Sequence, residues 1–586
     1  LADDFAQEVR ELWRQAEEAD KDNRDEAITD LEFAAPDSKK GHWDEQVRQY
    51  REQMGRDRYG FPLPCLTIND LPQKVGQVIG DRRANQTSIK VLPREDGDMK
   101  VAEVRSELIR SIELQSKADR VYMSAFDQAV TCGIGNFRVA LEDAADDVFV
   151  RDLFVRAIPN PLAVLWDPLA ADPTGRDASY CFVAENMPMA DFKKKFPKAT
   201  PSSLDAKGLE KDGWMEGETI RVAEYWRIDE RKRTFAMLQG GITADVTDQP
   251  EEGWKSLVMM AGDKPMIRDG ICKYAVRTLT NGQEQLEEPF ELKLHRVPII
   301  RVTGREVWVG EKRVRFGLVR YARDPARLRD YWRSLVAEKL MLSPRANFVA
   351  QAAAIKGRED DWQNTLIYND GAQQPLPVTT NDLQAIMNEA QMCAQDMKDT
   401  TGLHDASLGI QSNETSGVAI QRRQHEGDIA TIVYHDNMNS AMQEAGEVLN
   451  ALIPLTYDTP RTIRTVGNDE AVKLIRVNDP NFQPSGMVKE NIDIGLGKYD
   501  VTISTGPAYM TKRQEAAADM MQAVQAWPEF MKIAGDKIAI AQDWPDADEI
   551  AERVKRTMDP AILGDDADDG KDPEELAEQK AQADQA

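Results

Sequence analysis

The sequence predicts an α+β protein that is predominantly helical. Two zones with apolar residues at three- and four-residue spacing flank a central zone, about Gly133 to Val309, of short β-type runs broken by Asp, Pro and Gly. At 586 residues the chain is too long for one ordinary core, so several sub-domains are expected within one subunit.

In chain order, Val9, Leu12, Trp13 and Ala16 mark a first charged helix, and Trp43, Val47 and Tyr50 a second. Both read as surface helices. A Pro-bounded stretch, Phe61-Pro62-Leu63-Pro64, leads through Thr67-Ile68-Asn69-Asp70 into a helix carrying Val75, Val78 and Ile79, which ends near Asn85 before strand-like Ser88-Ile89-Lys90-Val91. The next helix bears Val104, Leu108, Ile109 and Ile112 and is expected to continue through Val121 and Phe126. Strands follow at Phe137–Leu141, Val148–Val150, Ile220–Trp226 and Pro298–Val302. Asp324-Pro325 has the form of an N-cap acid before a first-turn proline, and Leu328, Trp332, Leu335, Val336 and Leu342 then make one apolar face until Pro344. Arg345 to Thr380 is irregular. Asn381 and Gln384 form a capping box for a helix striped by Leu383, Ile386, Met387, Ala390 and Met397, with Gly402 as its stop. A polar loop, 403–416, precedes a long helix after Gly417 that should end before Pro454. Strands return at 462–466, 474–477 and 499–503, and a capping box at Thr511 and Gln514 opens further helices. Beyond about Asp559 the composition is too polar to offset ordering entropy, and a disordered or loosely helical tail is expected.

Apolar residues are 41% and charged residues 30%, with a mean hydropathy of −0.54, and no run approaches the roughly 18 apolar residues of a spanning helix. Leu1 to Arg10 lacks the cationic start and apolar core of a secretory signal, so a cytoplasmic site of synthesis and no membrane partner are expected. Starting at Leu1 rather than Met fits a trimmed product. Five scattered cysteines, Cys65, Cys132, Cys181, Cys272 and Cys393, form no C-x-x-C pair and read as reduced, mostly buried small hydrophobes. The net charge of −27 argues against ordinary DNA binding through a basic face, though not against DNA that must pass without sticking.

Motifs for catalysis are missing from the sequence. There is no phosphate-binding G-x-x-x-x-G-K-[ST] loop and no G-x-S-x-G elbow, and Gly133-Ile134-Gly135 is followed by Arg138 where a dinucleotide motif needs glycine. His425 and His435 are ten apart, not the three or four that would pair two ligands on a helix. The acidic runs Asp146-Asp147, Glu359-Asp360-Asp361 and Asp565-Asp566 lack the alternating pattern of a calcium loop. No enzyme activity, metal or cofactor is expected.

Four blocks resemble the phage P22-like portal family, in family order across about residues 45–560. They are Pro64–Pro93, with Thr67-Ile68-Asn69-Asp70 at its start; Phe316–Tyr331 continuing to Ala337-Glu338-Lys339-Leu340; Glu414-Thr415-Ser416-Gly417 through Gln424 to Tyr457–Arg461; and Tyr499-Asp500-Val501 with Ser504-Thr505-Gly506-Pro507. The resemblance implies a portal fold with wing, stem, clip and crown regions, assembled into a ring of subunits, usually twelve. Double-stranded DNA would pass along the axis during packaging and ejection. Implied partners are the terminase large subunit, a tail adaptor, and the major capsid and scaffolding proteins, at the portal vertex of the virion and in host cytoplasm during assembly. Some members continue into a long C-terminal helical barrel; because this sequence ends at Ala586, a full barrel is not expected.

On this plan 1–319 holds N-terminal helices and the α+β wing, 320–343 the first stem helix, 344–380 the clip and 381–402 the second stem helix. The tunnel loop is 403–417, the long helix and returning wing strands 418–505, a helical crown 506–558 and the acidic tail 559–586. Stem packing falls to Leu328, Trp332, Leu335, Leu383, Ile386 and Met397. Partner binding at the clip falls to Arg358, Asp360 and Trp362, and the channel constriction to His404, Asp405, Ser407, Leu408, Gln411, Asn413 and Glu414. Arg320, Arg323, Arg327, Arg329, Arg333, Lys339 and Arg345 are expected to neutralise neighbouring subunits rather than grip DNA. The rival readings are another structural virion ring or scaffold that does not conduct DNA, and a packaging ATPase or nuclease, which predicts nucleotide or metal dependence.

Overall fold

The computed structural model describes residues 2–35, 41–84, 87–94, 98–144, 150–199, 214–216, 218–237, 243–247, 258, 260–261, 264–342, 348–349, 356, 376–377, 383–403, 417–466, 472–479, 491–495, 497–505, 520–521, 523–527, 530–541, 550–551 and 553–554. It divides into two compact units, Leu1–Asp81 with Ile89–Ile503, and Arg82–Ser88 with Ser504–Ala586. In the smaller unit Arg82 donates to Thr87 Oγ1 at 2.8 Å, and a helix, Phe530–Ala541, follows the ring pair Trp527 and Phe530.

The larger unit opens with α1 (Ala2–Ala34), α2 (Glu45–Tyr59) and α3 (Leu71–Ala84). Asp44 caps α2 by accepting from the Gln46 amide at 2.8 Å, and Gly60, at φ 78°, ends it. After β1 (Thr87–Pro93) come α4 (Met99–Ser116) and α5 (Ala118–Cys132). The single helix expected across this stretch is two. Lys117 sits in the left-handed region at φ 52° and breaks the axis, because only a change of direction keeps both the Ile109–Ile112 face and the Phe126–Ala129 face in one core.

Three antiparallel strands, β2 (Ile134–Asp143), β3 (Arg151–Ala157) and β9 (Ile299–Thr303), form a sheet in the order β9-β2-β3. The helices α4 and α5 pack on it with α8 (Gly417–Thr456), whose Met438, Ala441, Met442, Ala445, Val448, Leu449 and Leu452 are buried at helical spacing. The helix runs past Pro454, which was expected to stop it. Tyr457, whose N–H bonds to Ile453 O, and Ile453 itself are both buried and hold that last turn in place. At the sheet end Arg296 donates to Glu444 Oε1 at 2.5 Å and Glu447 Oε2 at 2.9 Å, tying α8 down. Burial pushes the Glu444 carboxyl above its ordinary range while Arg296 draws it back.

A second sheet contains β4 (Val164–Trp166), β5 (Tyr180–Pro188), β6 (Thr219–Met237), β7 (Ile267–Thr280) and β8 (Phe290–Leu292), in the order β8-β7-β6-β5-β4. Its strands are not all short: β6 has 19 residues and pairs with β7 from Ile267↔Ala236 to Thr280↔Ala223. Nor is α1 a surface helix, since its Val9, Trp13 and Ala16 cluster with Leu165, Phe182 and Tyr225 of this sheet and with Trp214. The charged sequence of α1 hides this because its narrow apolar stripe meets aromatic rings supplied by strands far away in sequence.

A hairpin, β10 (Arg305–Val309) and β11 (Lys312–Phe316), then leads to α6 (Leu318–Leu342) and α7 (Leu383–Thr401), which pack on one another. The first of these helices begins at Leu318, six residues before the expected Asp324 cap, and carries Pro325 inside. Gly317 fixes that start, for a Cβ there would lie 2.4 Å from the Val130 and Thr131 carbonyl oxygens of α5. With Val319 and Ala322 fully buried, packing offsets the one hydrogen bond that Pro325 cannot donate. Strands β12 (Arg461–Val466), β13 (Val472–Val477) and β14 (Tyr499–Thr505) complete the unit, β12 with β13 and β14 with β1. Among the described residues no helix is long and apolar enough to cross a membrane, and all five cysteines are free, three of them buried.

The contact between α5 and β2 requires glycine at 135, where a Cβ would fall 1.9 Å from Ala125 O. Replacing Gly135 by Ala is expected to destabilise the protein by about 1–3 kcal/mol, because backbone rather than a flexible side chain must yield. Denaturant unfolding checks this, and an unchanged midpoint would mean that helix and strand are not in contact there.

Candidate functional site

The helix pair α6 and α7 is the feature on which the sequence reading centred, and the attachment of α6 to the body includes buried polar groups. The inward side of α6 carries Val319, Ala322, Ala326, Asp330 and Ser334 at three- and four-residue spacing, all buried. Small side chains at 322 and 326 admit close approach, while the two polar ones bind an extended segment, residues 64–70. The Ile68 amide donates to Asp330 Oδ1 at 3.0 Å and the Leu66 amide to Ser334 Oγ at 2.8 Å. Asp330 Oδ2 lies 2.8 Å from His42 Nδ1, and His42 Nε2 lies 3.1 Å from Phe33 O. His42 also stacks on the Phe33 ring, with centroids 4.1 Å apart.

Neighbouring residues extend this clamp. Arg329 forks onto Asp70 at 2.9 and 3.1 Å and also donates to Ile68 O. Asn69 donates to the Phe33 and Ala34 carbonyls at the end of α1 and accepts from the Leu71 amide at the start of α3. Arg51 of α2 reaches Glu338 at 2.9 Å and Pro64 O at 3.2 Å. Segment 64–70, which has no ladder partner, thus pairs backbone groups with side chains of α6, with Arg51 of α2 and with Trp43, whose Nε1 donates to Leu66 O at 3.0 Å.

A second anchor ties the start of α6 to α1. Arg320 and Arg323 converge on Asp30, which is fully buried, at 2.8 and 2.5 Å, and Arg323 also reaches Glu26 at 2.8 Å. Burial raises the Asp30 carboxyl above its ordinary range, and the two guanidinium groups oppose that shift. On α7 the inward residues are Ile386, Ala390, Cys393, Met397 and Thr401, with Met397 in the main core beside the start of α6. Thr401 donates to Met397 O at 2.7 Å, and Gly402, at φ 69°, ends the helix as expected.

These contacts revise two expectations. The stem arginines do not point as a group to neighbouring subunits: Arg320, Arg323 and Arg329 are consumed by Asp30, Glu26 and Asp70 of their own chain, and Arg327 donates to Gly41 O at 3.3 Å. Arg333 is exposed and Lys339 half-buried. The apolar face of α6 is not its inward face either. Leu328 is 52% exposed, and Trp332 and Leu335 are half-buried, because Ala322, Ala326, Asp330 and Ser334 occupy the side that meets the body. Of the other proposed packing residues Ile386 and Met397 are buried; Leu383 begins α7, and its side chain lies outside the described residues. So do Arg345, the clip residues Arg358, Asp360 and Trp362, and the tunnel-loop residues His404, Asp405, Ser407, Leu408, Gln411, Asn413 and Glu414.

Sequence reasoning missed Asp30, His42, Asn69, Asp330 and Ser334. The one available signal was Asp330 itself, an acid set at helical spacing between Ala326 and Ser334. Among the described residues no group of three or more His, Cys, Asp or Glu is arranged to hold a metal ion. What the arrangement does is mechanical: charged and polar groups pin α6 to α1, α2 and the extended segment 64–70.

The model of the family described as phage P22-like portal protein matches residues 10–586. The chain belongs to that family. A relative named Portal protein, from Acyrthosiphon pisum secondary endosymbiont phage 1, is 23% identical over 499 residues, covering 78% of this chain and 67% of the relative. Membership gives the chain a portal role in the head-to-tail connector of a phage.

Changing Asp330 to Ala removes the partner of the Ile68 amide and of one nitrogen of the buried His42 and is expected to cost about 3–5 kcal/mol. Ser334→Ala, which removes a single acceptor, should cost about 1–2 kcal/mol. Calorimetric or denaturant unfolding of both variants checks the order, and equal, small effects would show that the clamp carries little stability.

Proposed function

We propose that this chain is one subunit of a closed, dodecameric ring at a capsid vertex, through whose channel double-stranded DNA is packaged and later ejected. The observation that carries the reading is the family match along residues 10–586. The helix pair α6 and α7, with 40 residues of chain between Leu342 and Leu383, supports it further: such a hairpin can carry an exchange surface at its tip. On this reading residues 344–380 are the clip, which meets terminase first and a tail adaptor later. Residues 403–416 narrow the channel.

The net charge of −27 fits a conduit. An acidic wall offers no attractive wells for phosphate, so a duplex passes without a fixed register. The role is structural, and the energy for movement comes from a partner.

Electron microscopy of the purified protein tests the ring directly. Closed rings with an open channel wide enough for a duplex are the expected result; monomer alone at high concentration would overturn the reading. The constriction has its own test, in which Asp405→Lys with Glu414→Lys should leave rings intact but impair packaging or retention of DNA, more so at low salt. Normal packaging at low and moderate salt by assembled variant rings would remove the loop assignment.

A further inference from the structure

The hairpin β10–β11 has one closed edge and one open edge. Its two-residue turn, Gly310-Glu311, makes Val309↔Lys312 a hydrogen-bonded pair and, by alternation, Val307↔Val314 and Arg305↔Phe316 as well. The backbone groups of Arg313 and Arg315 therefore point out of the hairpin on one side, and those of Glu306 and Trp308 on the other. Asn23 of α1 closes the first side, for its Nδ2 donates to Arg313 O at 2.9 Å and its Oδ1 accepts from the Arg315 amide at 3.1 Å. Among the described residues nothing pairs with the outward amides and carbonyls of Glu306 and Trp308. Neither proline nor a bulge blunts this edge, and Val307, Trp308 and Val309 are 43%, 61% and 63% exposed. Most charges of the hairpin have partners: Arg313 lies 3.7 Å from Glu306 and over the Trp308 ring, Arg315 pairs with Asp20, and Lys312 with Asp22 at 2.8 Å. Two groups of β10 are incompletely matched. Arg305 donates to the Tyr321 hydroxyl at 3.0 Å but has no acid partner among the described residues, and Glu306 Oε2 is buried without a hydrogen bond.

We propose that the outer edge of β10 receives an added strand from a partner protein, an extended segment with apolar residues at alternate positions and an acid at one end. Extended backbone is the occupant that fits, because a strand presents donors and acceptors at the spacing of Glu306 and Trp308. Antiparallel pairing, the more stable of the two directions, fixes what each partner residue meets. Those opposite Val309 and Val307 are apolar. A hydroxyl opposite Glu306 reaches the buried Oε2, and a carboxylate opposite Arg305 supplies the counter-charge that the described part of its own chain does not. The contact is independent of the ring reading and requires only that the edge stay open in whatever assembly the chain forms.

The test uses the full chain and a synthetic probe, the amidated peptide Val-Thr-Val-Thr-Glu with a fluorophore at its N-terminus, read by anisotropy. Saturable binding is the expected result. Methylating both threonine nitrogens, whose amides face the edge in this register, should weaken binding about tenfold or more, since two hydrogen bonds are lost. Methylating the central valine nitrogen, which faces away, should have little effect. A probe ending in Lys instead of Glu should bind the wild-type chain more weakly, and Arg305→Glu, at unchanged melting temperature, should invert that preference. Absence of binding at millimolar probe would overturn the proposal, including the case in which a neighbouring copy covers the edge. Equal binding by the threonine-methylated probe would overturn strand addition without recourse to any protein variant, and an unchanged preference in the Arg305 variant would overturn the acidic character of the partner.

Discussion

The buried carboxylate of Asp330 is the interaction on which the arrangement of the helices depends. An isolated charge at full burial would be far too costly to keep, so its neighbours are dictated: a backbone amide, Ile68, on one oxygen and His42 on the other. Meeting that requirement brings segment 64–70 against α6. Asn69 and His42 then bring in the end of α1, and Arg329 closes the group through Asp70. A helix fastened this way is fixed in rotation as well as position, because hydrogen bonds are directional where apolar contacts are not. An apolar face could slide by a turn; Asp330 cannot.

Fixed rotation has a consequence on the far side of the helix. The residues that look like a core stripe, Leu328, Trp332 and Leu335, are held off the inward side, with Leu328 exposed and Trp332 and Leu335 half-buried. The same logic governs α8, which is buried along one seam against the sheet and fixed by polar groups, Arg296 between Glu444 and Glu447 and Asn437 on the Thr303 and Gly304 carbonyls. In both cases apolar burial supplies the bulk of the stability and a buried ionic group selects one arrangement among several of similar packing.

Periodicity made the helices and strands legible where the pattern was local. The helix-rich flanks, the strand-rich centre, the stop at Gly402 and the strands near 461–466 and 499–505 follow from spacing and turn residues. It failed where distant groups decide. Asp324-Pro325 has the form of a helix start, but Gly317 packing on the carbonyls of α5 moves the start to Leu318. The charged sequence of α1 suits a surface, but Trp13 finds Trp214 and Phe182. The arginines near 320–329 were read as a group, and only the fold reveals that three of them have acids of their own, some 260 to 290 residues earlier in the chain. Family membership was legible from four ordered blocks, since a portal motif is a matter of order along the chain and not of any one catalytic residue.

Amide hydrogen exchange along residues 64–70 tests the account of the clamp most directly. These residues form no sheet ladder, and the acceptors of the Leu66 and Ile68 amides are Ser334 and Asp330. The account predicts that the Leu66 and Ile68 amides exchange as slowly as amides in the core of α5, around Phe126. Exchange at the rate of an exposed loop would contradict it, and with it the claim that buried polar groups set the rotation of α6.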